Sequence, residues 1–286
     1  MSVVIATNLI SIRLQTQLKR TVSELGTVYE RLGSGLRINS AADDPAGLGL
    51  ADKLKAESKL LSVALRNAND GLSYTASVDQ GLAEISSLLD RMSELANQGA
   101  NSLYSVTQRS AMQSEFLALG SEIVRVSDVT QFNNLKGLNG APNQVIQVGF
   151  SGDASSQIIL ASVTASLDEL GIGTGNTLSY SLTGDSVSDA VSASELALTA
   201  LTSALDQVLA RRGTVGAAES RLRSAINTIT VMRENRIAAE SQVRDVDVAE
   251  NVAQLARLQV LNQYQTALLA QSNLDSKIAL KLLGVG

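Results

Sequence analysis

Near one end of the chain, Leu18, Val22, Leu25, Tyr29, Leu32 and Leu36 follow one another at spacings of 4, 3, 4, 3 and 4. Near the other, Val248, Val252, Leu255, Leu258, Leu261, Tyr264 and Leu268 keep a similar three-or-four rhythm. Apolar positions that recur roughly every 3.5 residues form the seam of a coiled coil, so both ends are predicted to be long amphipathic helices. A helix alone in water is marginal because its nucleus is costly. The two seams are therefore expected to pair with each other and with seams of neighbouring molecules. Read this way, the chain is first of all an assembly subunit.

Between the ends the same period continues. The first helix should run from about Asn8 to Leu32 and stop at Gly33-Ser34-Gly35, where glycine can take the left-handed cap. A polar connector, Arg37 to Asp44, leads to Asp44-Pro45, a carboxylate cap followed by proline at the first helical position. From there a helix is predicted to about Gln98, carrying Leu54, Leu61, Leu65, Leu72, Leu82, Ile85, Leu89, Met92 and Leu95, with a bend allowed at Gly71 and Gly81. Residues 99–108 read as a polar turn and 109–128 as a helix. Val145 to Phe150 alternates and is followed by Ile158-Ile159-Leu160, which predicts a β-hairpin. Ser, Thr and Gly dominate up to Asp189, as in a loop-rich surface region.

A helix over 190–240 should pack antiparallel on 45–98, with Arg212 and Glu219 at two of its seam positions, and Ser241–Asp245 should link it to the last helix. The predicted fold is mainly α: a long antiparallel helical bundle with terminal coiled-coil helices and a small β-hairpin region. Its segments are 1–44, half of a coiled coil with its connector; 45–140, bundle helices; 141–189, hairpin and loops; 190–240, the returning bundle helix; and 241–286, a connector with the other half of the coiled coil.

Composition narrows the function. Apolar residues make up 44% of the 286 but aromatics only 3%, so slender helices packed through Ala, Leu, Val and Ile are favoured over a thick core. A net charge of −5 without a basic block excludes a phosphate-rich partner, so no nucleic acid is expected. No apolar run approaches a membrane span, and no secretory leader is expected at the N-terminus. Cysteine and histidine are both absent, which removes disulfides, nucleophile–histidine catalysis and ordinary zinc sites. No EF-hand-like spacing appears, and no cofactor or metal is expected. Gly171-Ile172-Gly173-Thr174-Gly175 lacks the Lys-Ser/Thr ending of a phosphate loop and reads as a flexible turn.

Four runs resemble bacterial flagellin, the filament subunit of the flagellum. Arg31 to Gly47 resembles the family's R-L-S-S-G-x-R-I-N-S-A-x-D-D-A-A-G, and Arg66 to Gly71 its R-N-A-N-D-G. Arg244 to Glu250 resembles R-I-x-D-x-D-x-A-x-E, and Leu268 to Asn273 resembles V-L-A-Q-A-N. The similarity covers 1–140 and 190–286, in a short form without the large variable outer insertion. It implies a non-enzymatic subunit that polymerises into the extracellular filament for motility. It also implies type III export, a chaperone on the C-terminal tail, a filament cap and hook-associated proteins. The alternative is a hook–filament junction protein with flagellin-like ends.

The resemblance further marks Leu18, Val22, Leu25, Tyr29, Leu32, Val252, Leu255, Leu258, Leu261 and Leu268 as the inner coiled-coil seam. It marks Gly33, Gly35, Asn39, Asp43, Asp44 and Pro45 as a hinge or connector. Arg91, Glu94, Leu95 and Glu115 match positions through which the vertebrate flagellin Toll-like receptor senses the family; subunit contact is the primary role expected of them. Asp90 replaces the family's glutamine, and Ala96-Asn97-Gln98 also departs from its pattern.

Overall fold

The computed structural model describes residues 8–140 and 142–282. The outermost residues of the predicted terminal segments and Ala141 lie outside these. The helices are α1 (Leu9–Ser34), α2 (Pro45–Gly99), α3 (Val106–Val129), α4 (Val187–Arg244) and α5 (Val248–Leu282). Three antiparallel strand pairs fall between α3 and α4: β1 (Gln131–Phe132) with β2 (Leu135–Lys136), β3 (Gln144–Gln147) with β4 (Gln157–Leu160), and β5 (Gly173–Thr174) with β6 (Thr177–Leu178). In the predicted hairpin, Val145 stands opposite Ile159 and Ile146 opposite Ile158. The chain divides into two compact units, one made of its ends, up to Ala56 and from Asn235, and one of Glu57–Glu234.

Local chemistry accounts for the boundaries. Gly35 takes φ 71° as the left-handed cap of α1, its N–H donating to the Arg31 carbonyl. Asp44 caps α2 by accepting from the amides of Ala46 and Gly47 at 3.1 and 2.9 Å. Two ends differ from expectation. α3 starts at Val106 because Ser105 and Gln108 form a reciprocal capping box inside the stretch that reads as a turn. α4 continues through Ser241–Arg244, predicted as linker, because nothing in Ser-Gln-Val-Arg breaks a helix and a basic residue suits its negative end.

The Glu57–Glu234 unit has a continuous core. Leu82, Ile85, Leu89 and Met92 of α2, Phe116 and Ile123 of α3, and Leu201, Ala204 and Val208 of α4 are fully enclosed. Segment 163–182 is no mere surface loop, since Val163, Ala165, Leu167, Leu170, Ile172 and Leu182 join that core. Gly71 and Gly81 are sites of close approach. A Cβ at Gly71 would meet Ile146 Cγ1 at 3.1 Å, and one at Gly81 would meet Thr130 Oγ1 at 2.6 Å. Predicted seam residue Arg212 of α4 meets Asp79 of α2 through Nε at 2.9 Å and Nη2 at 3.2 Å, a link between the two helices beside their shared core.

The α2–α3 turn is held by Arg109, a fully buried arginine whose hydrogen bonds all go to backbone carbonyls among the described residues. Its guanidinium donates to the carbonyls of Gly99, of Asn101 at 2.7 Å and of Tyr104 at 3.3 Å. One side chain thereby satisfies backbone acceptors left open where α2 ends.

Candidate assembly interface

The unit formed by the chain ends is where the sequence places assembly. Its two connectors pair with each other. Leu36 and Asp245 form an antiparallel bridge, the Arg37 amide donates to Arg244 O at 2.6 Å, and the Val246 amide donates to Gly35 O at 3.1 Å. Arg37 Nη2 reaches Val243 O at 2.6 Å, and Arg244 meets Asp52 at 3.1 Å. Asp43 closes the turn before α2, accepting from the amides of Asn39 and Ser40 and from the Ser40 hydroxyl. Those bonds, first from the Ser40 amide and then from its hydroxyl, hold the Asp43 carboxyl below its ordinary pKa of 3.8. The predicted hinge residues are therefore hydrogen-bonded within this unit. Gly33 is a helical residue of α1.

α1 and α5 run antiparallel, tied by Asn8 Nδ2 to Ser272, Ser11 Oγ to Asn273 and Gln259 Nε2 to the Tyr29 hydroxyl. The covered line on α1 passes through Ser11, Leu14, Leu18, Thr21, Leu25, Val28 and Leu32. On α5 it passes through Asn251, Leu255, Leu258, Asn262, Gln265, Leu269 and Ser272. Both lines keep alternating three- and four-residue steps, as a heptad seam requires.

The predicted seam divides on this line. Leu18, Leu25 and Leu32 of α1 and Leu255, Leu258 and Leu261 of α5 are covered wholly or in part. Val22, Tyr29, Val252 and Leu268 are not in it: they are 53%, 54%, 50% and 36% exposed. The reason is that Val28, rather than Tyr29, continues the step from Leu25 to Leu32. Polar residues also hold seam positions that an apolar count passes over: Ser11, Thr21, Asn251 and Gln265 are all buried. Among the described residues Asn251 Oδ1 and Gln265 Oε1 have no hydrogen-bond partner.

Outside the seam two apolar rows remain open. Val22 and Tyr29 on α1 and Val252 on α5 flank one side of the seam, and Val260 and Tyr264 lie on the outer face of α5, each at least half exposed. Single exposed apolar residues are ordinary, but a row of them on paired helices marks a contact surface.

The other predicted site lies on the bundle. Arg91 donates through Nη1 to Glu94 at 2.7 Å and meets Glu115 across α3 at 2.8 Å. All three side chains are about half exposed. Leu95 is not on that surface; it is 2% exposed and belongs to the core. Its four-residue spacing from Arg91 brings it only to the edge of the face, and it turns into the core shared with residues of α3 and α4.

Among the described residues no His, Cys, Asp and Glu cluster could hold a metal ion, and no helix is long and apolar enough to cross a membrane. What the geometry provides is surface rather than chemistry: two chain ends paired through a polar-punctuated seam, with apolar rows left over. That defines the class: a helical subunit whose two chain ends pair as a coiled coil.

Comparison with known proteins gives the family. Residues 5–142 match the bacterial flagellin N-terminal helical region, and residues 198–283 match the bacterial flagellin C-terminal helical region. A flagellin of Halalkalibacterium halodurans is 36% identical over 89% of this chain and 90% of its own length. One of Bacillus subtilis is 32% identical over 89% and 91%. In fold, the chain is similar to a protein described as flagellar hook-associated, from Vibrio parahaemolyticus. That likeness has a TM-score of 0.59 at 15% identity, over 71% of this chain and all of the other, and concerns the fold alone. The chain belongs to the bacterial flagellin family. It is a structural subunit of the extracellular flagellar filament, associates with copies of itself and is not an enzyme.

Proposed function

We propose that the α1–α5 pair is the polymerising element of this flagellin, and that the residues of both predicted seams act in it at two levels. Leu18, Leu25, Leu32, Leu255, Leu258 and Leu261 hold the pair together. Val22, Tyr29, Val252 and Leu268 face neighbouring subunits. The observation that carries this reading is the exposed apolar row on a pair whose own seam is thin. Covering such side chains contributes about 1.5–3 kcal/mol each, which an isolated chain forgoes. Gly33, Gly35, Asn39, Asp43, Asp44 and Pro45 form the connector that turns the chain from α1 into α2. Arg91, Glu94 and Glu115 contribute to subunit contact from the bundle, and present the surface available to the vertebrate receptor.

Export follows the same physics. Without disulfides and with a seam weak enough to open, the chain is suited to threading through a narrow channel. An export chaperone on the C-terminal tail, a filament cap and hook-associated proteins complete the set of partners. The test is sedimentation with electron microscopy of purified monomer after filament seeds are added, with helicity followed by circular dichroism. Long filaments with a rise in helix content are expected. Persistent monomer under several conditions would overturn the reading. Arg91→Ala separates the two roles of the bundle patch: weaker assembly with unchanged receptor activation by monomer would leave subunit contact alone.

A further inference from the structure

Gly26 lies in the middle of α1, where glycine is among the least favourable helix residues. Among the described residues no close approach explains it, because a Cβ there would meet no atom within 4 Å. The residue instead lines an open groove of about 640 Å³ along one side of the helix pair, with Val22, Leu25 and Tyr29 from α1 and Gln259, Asn262 and Gln263 from α5. The groove has an apolar wall and an amide-bearing wall. Gln259 is engaged by the Tyr29 hydroxyl.

The same molecule carries a shape that fits. Val260, Tyr264 and Leu268 follow one another every four residues on α5 and form a ridge of the kind that packs into grooves between helical side chains. They are 65%, 62% and 36% exposed. Counted in heptads from the buried line, Val22, Gly26, Tyr29, Gln259 and Gln263 flank one side of the seam. The ridge crosses the outer face of α5 to the other flank.

We infer that the Gly26 groove of one subunit receives the Val260–Tyr264–Leu268 ridge of a second copy of this chain. This rests on the filament reading and names the surfaces that meet. Tyr264 suits the groove because its ring is apolar and its hydroxyl needs a partner, which the side-chain amides of Asn262 and Gln263 supply. Groove and ridge lie on different flanks, so the contact is heterologous. Each added copy leaves a free groove and a free ridge, so the contact does not stop at a dimer and builds an open filament where its rotation does not close a ring.

The test is the critical concentration for seeded elongation of the full chain, measured by sedimentation, for wild type, Gly26→Leu, Tyr264→Ala and Tyr264→Phe. Gly26→Leu fills space that is open in the single chain, and unchanged circular dichroism of the monomer checks that its folding is intact. Gly26→Leu and Tyr264→Ala should each raise the critical concentration about tenfold or more, as overpacking and loss of an aromatic anchor do. Tyr264→Phe should raise it by less. In the double variant the combined loss should fall short of the product, because both changes act on one contact. Wild-type elongation with Gly26→Leu elongating equally well would overturn the contact alone. A wild-type chain that fails to elongate would overturn the filament reading, and the contact with it.

Discussion

The bundle and the paired chain ends are both helical and built from the same few apolar residue types, yet they are covered differently. In the bundle, α2 is wrapped by α3, by α4 and by segment 163–182, so Leu82, Ile85, Leu89 and Met92 lose all contact with water. In the paired ends, α1 meets chiefly α5, and buried apolar residues such as Val28 and Leu258 alternate with buried Ser11, Thr21, Asn251 and Gln265. Burial on several sides makes a region that is stable in the single subunit. A two-helix seam with polar interruptions makes one that gains most from neighbours. This division suits the proposal that the paired ends polymerise while the bundle holds its shape.

The strongest way to break the comparison is to hollow the bundle. Phe116→Ala removes an aromatic side chain that is 1% exposed. It should cost about 3–5 kcal/mol in thermal or denaturant unfolding, while amide exchange in α1 and α5 stays as it was. Leu258→Ala makes the converse test. We expect about 2–3 kcal/mol lost from the paired ends, seen as faster exchange in α1 and α5 with the bundle still protected. Equal loss of protection in both regions would show that they unfold as one.

The comparison sharpens with gains as well as losses. Gln265→Leu removes a buried oxygen without a partner and should slow exchange in α5 by the equivalent of about 1–2 kcal/mol. Slower assembly of that variant would show that the weakness of the seam is used. Asp79→Asn loosens the α2–α4 register through a pair whose side chains are each 37% exposed. Its effect should stay below about 1 kcal/mol, measured by denaturant midpoint.

Acid gives the smallest effect. A folded-state pKa held below 3.8 means that the Asp43 bonds are intact above that value and are lost as pH falls through the folded value. The turn at Asn39 and Ser40 should therefore loosen only in strong acid, followed by chemical shifts of those amides. In Asp43→Asn that acid transition should be absent.

Much of this fold is legible in the sequence, because its signals are local and strong. Asp44-Pro45 announces α2, Gly35 ends α1, and the spacing of Leu201, Val208, Val215 and Leu222 marks the buried face of α4. The pair β1–β2 is not legible, since strands of two residues have no alternation to detect. Its turn depends on Asn133 and Asn134 both taking positive φ. The burial of segment 163–182 is hidden by its Ser and Thr content. Arg109 sits at an ordinary helical position, and its role becomes visible only once Gly99, Asn101 and Tyr104 are folded over it. Of the candidate site, the sequence shows the right helices and period but merges two rows. Val22 and Tyr29 differ from Leu18 and Leu25 only by which side α5 covers, and that is a tertiary fact.

The polar residues of the seam bear on copying accuracy. An antiparallel helix pair can slide by a whole heptad and still present a seam. In the observed alignment Asn8 bonds Ser272, Ser11 bonds Asn273 and Gln259 bonds the Tyr29 hydroxyl. Sliding α5 by seven residues in either direction would part all three of these pairs at once. The seam thus works like a ruler with one valid zero. If the pair is the polymerising element proposed above, each subunit added to a filament would bring its two ends in the same alignment.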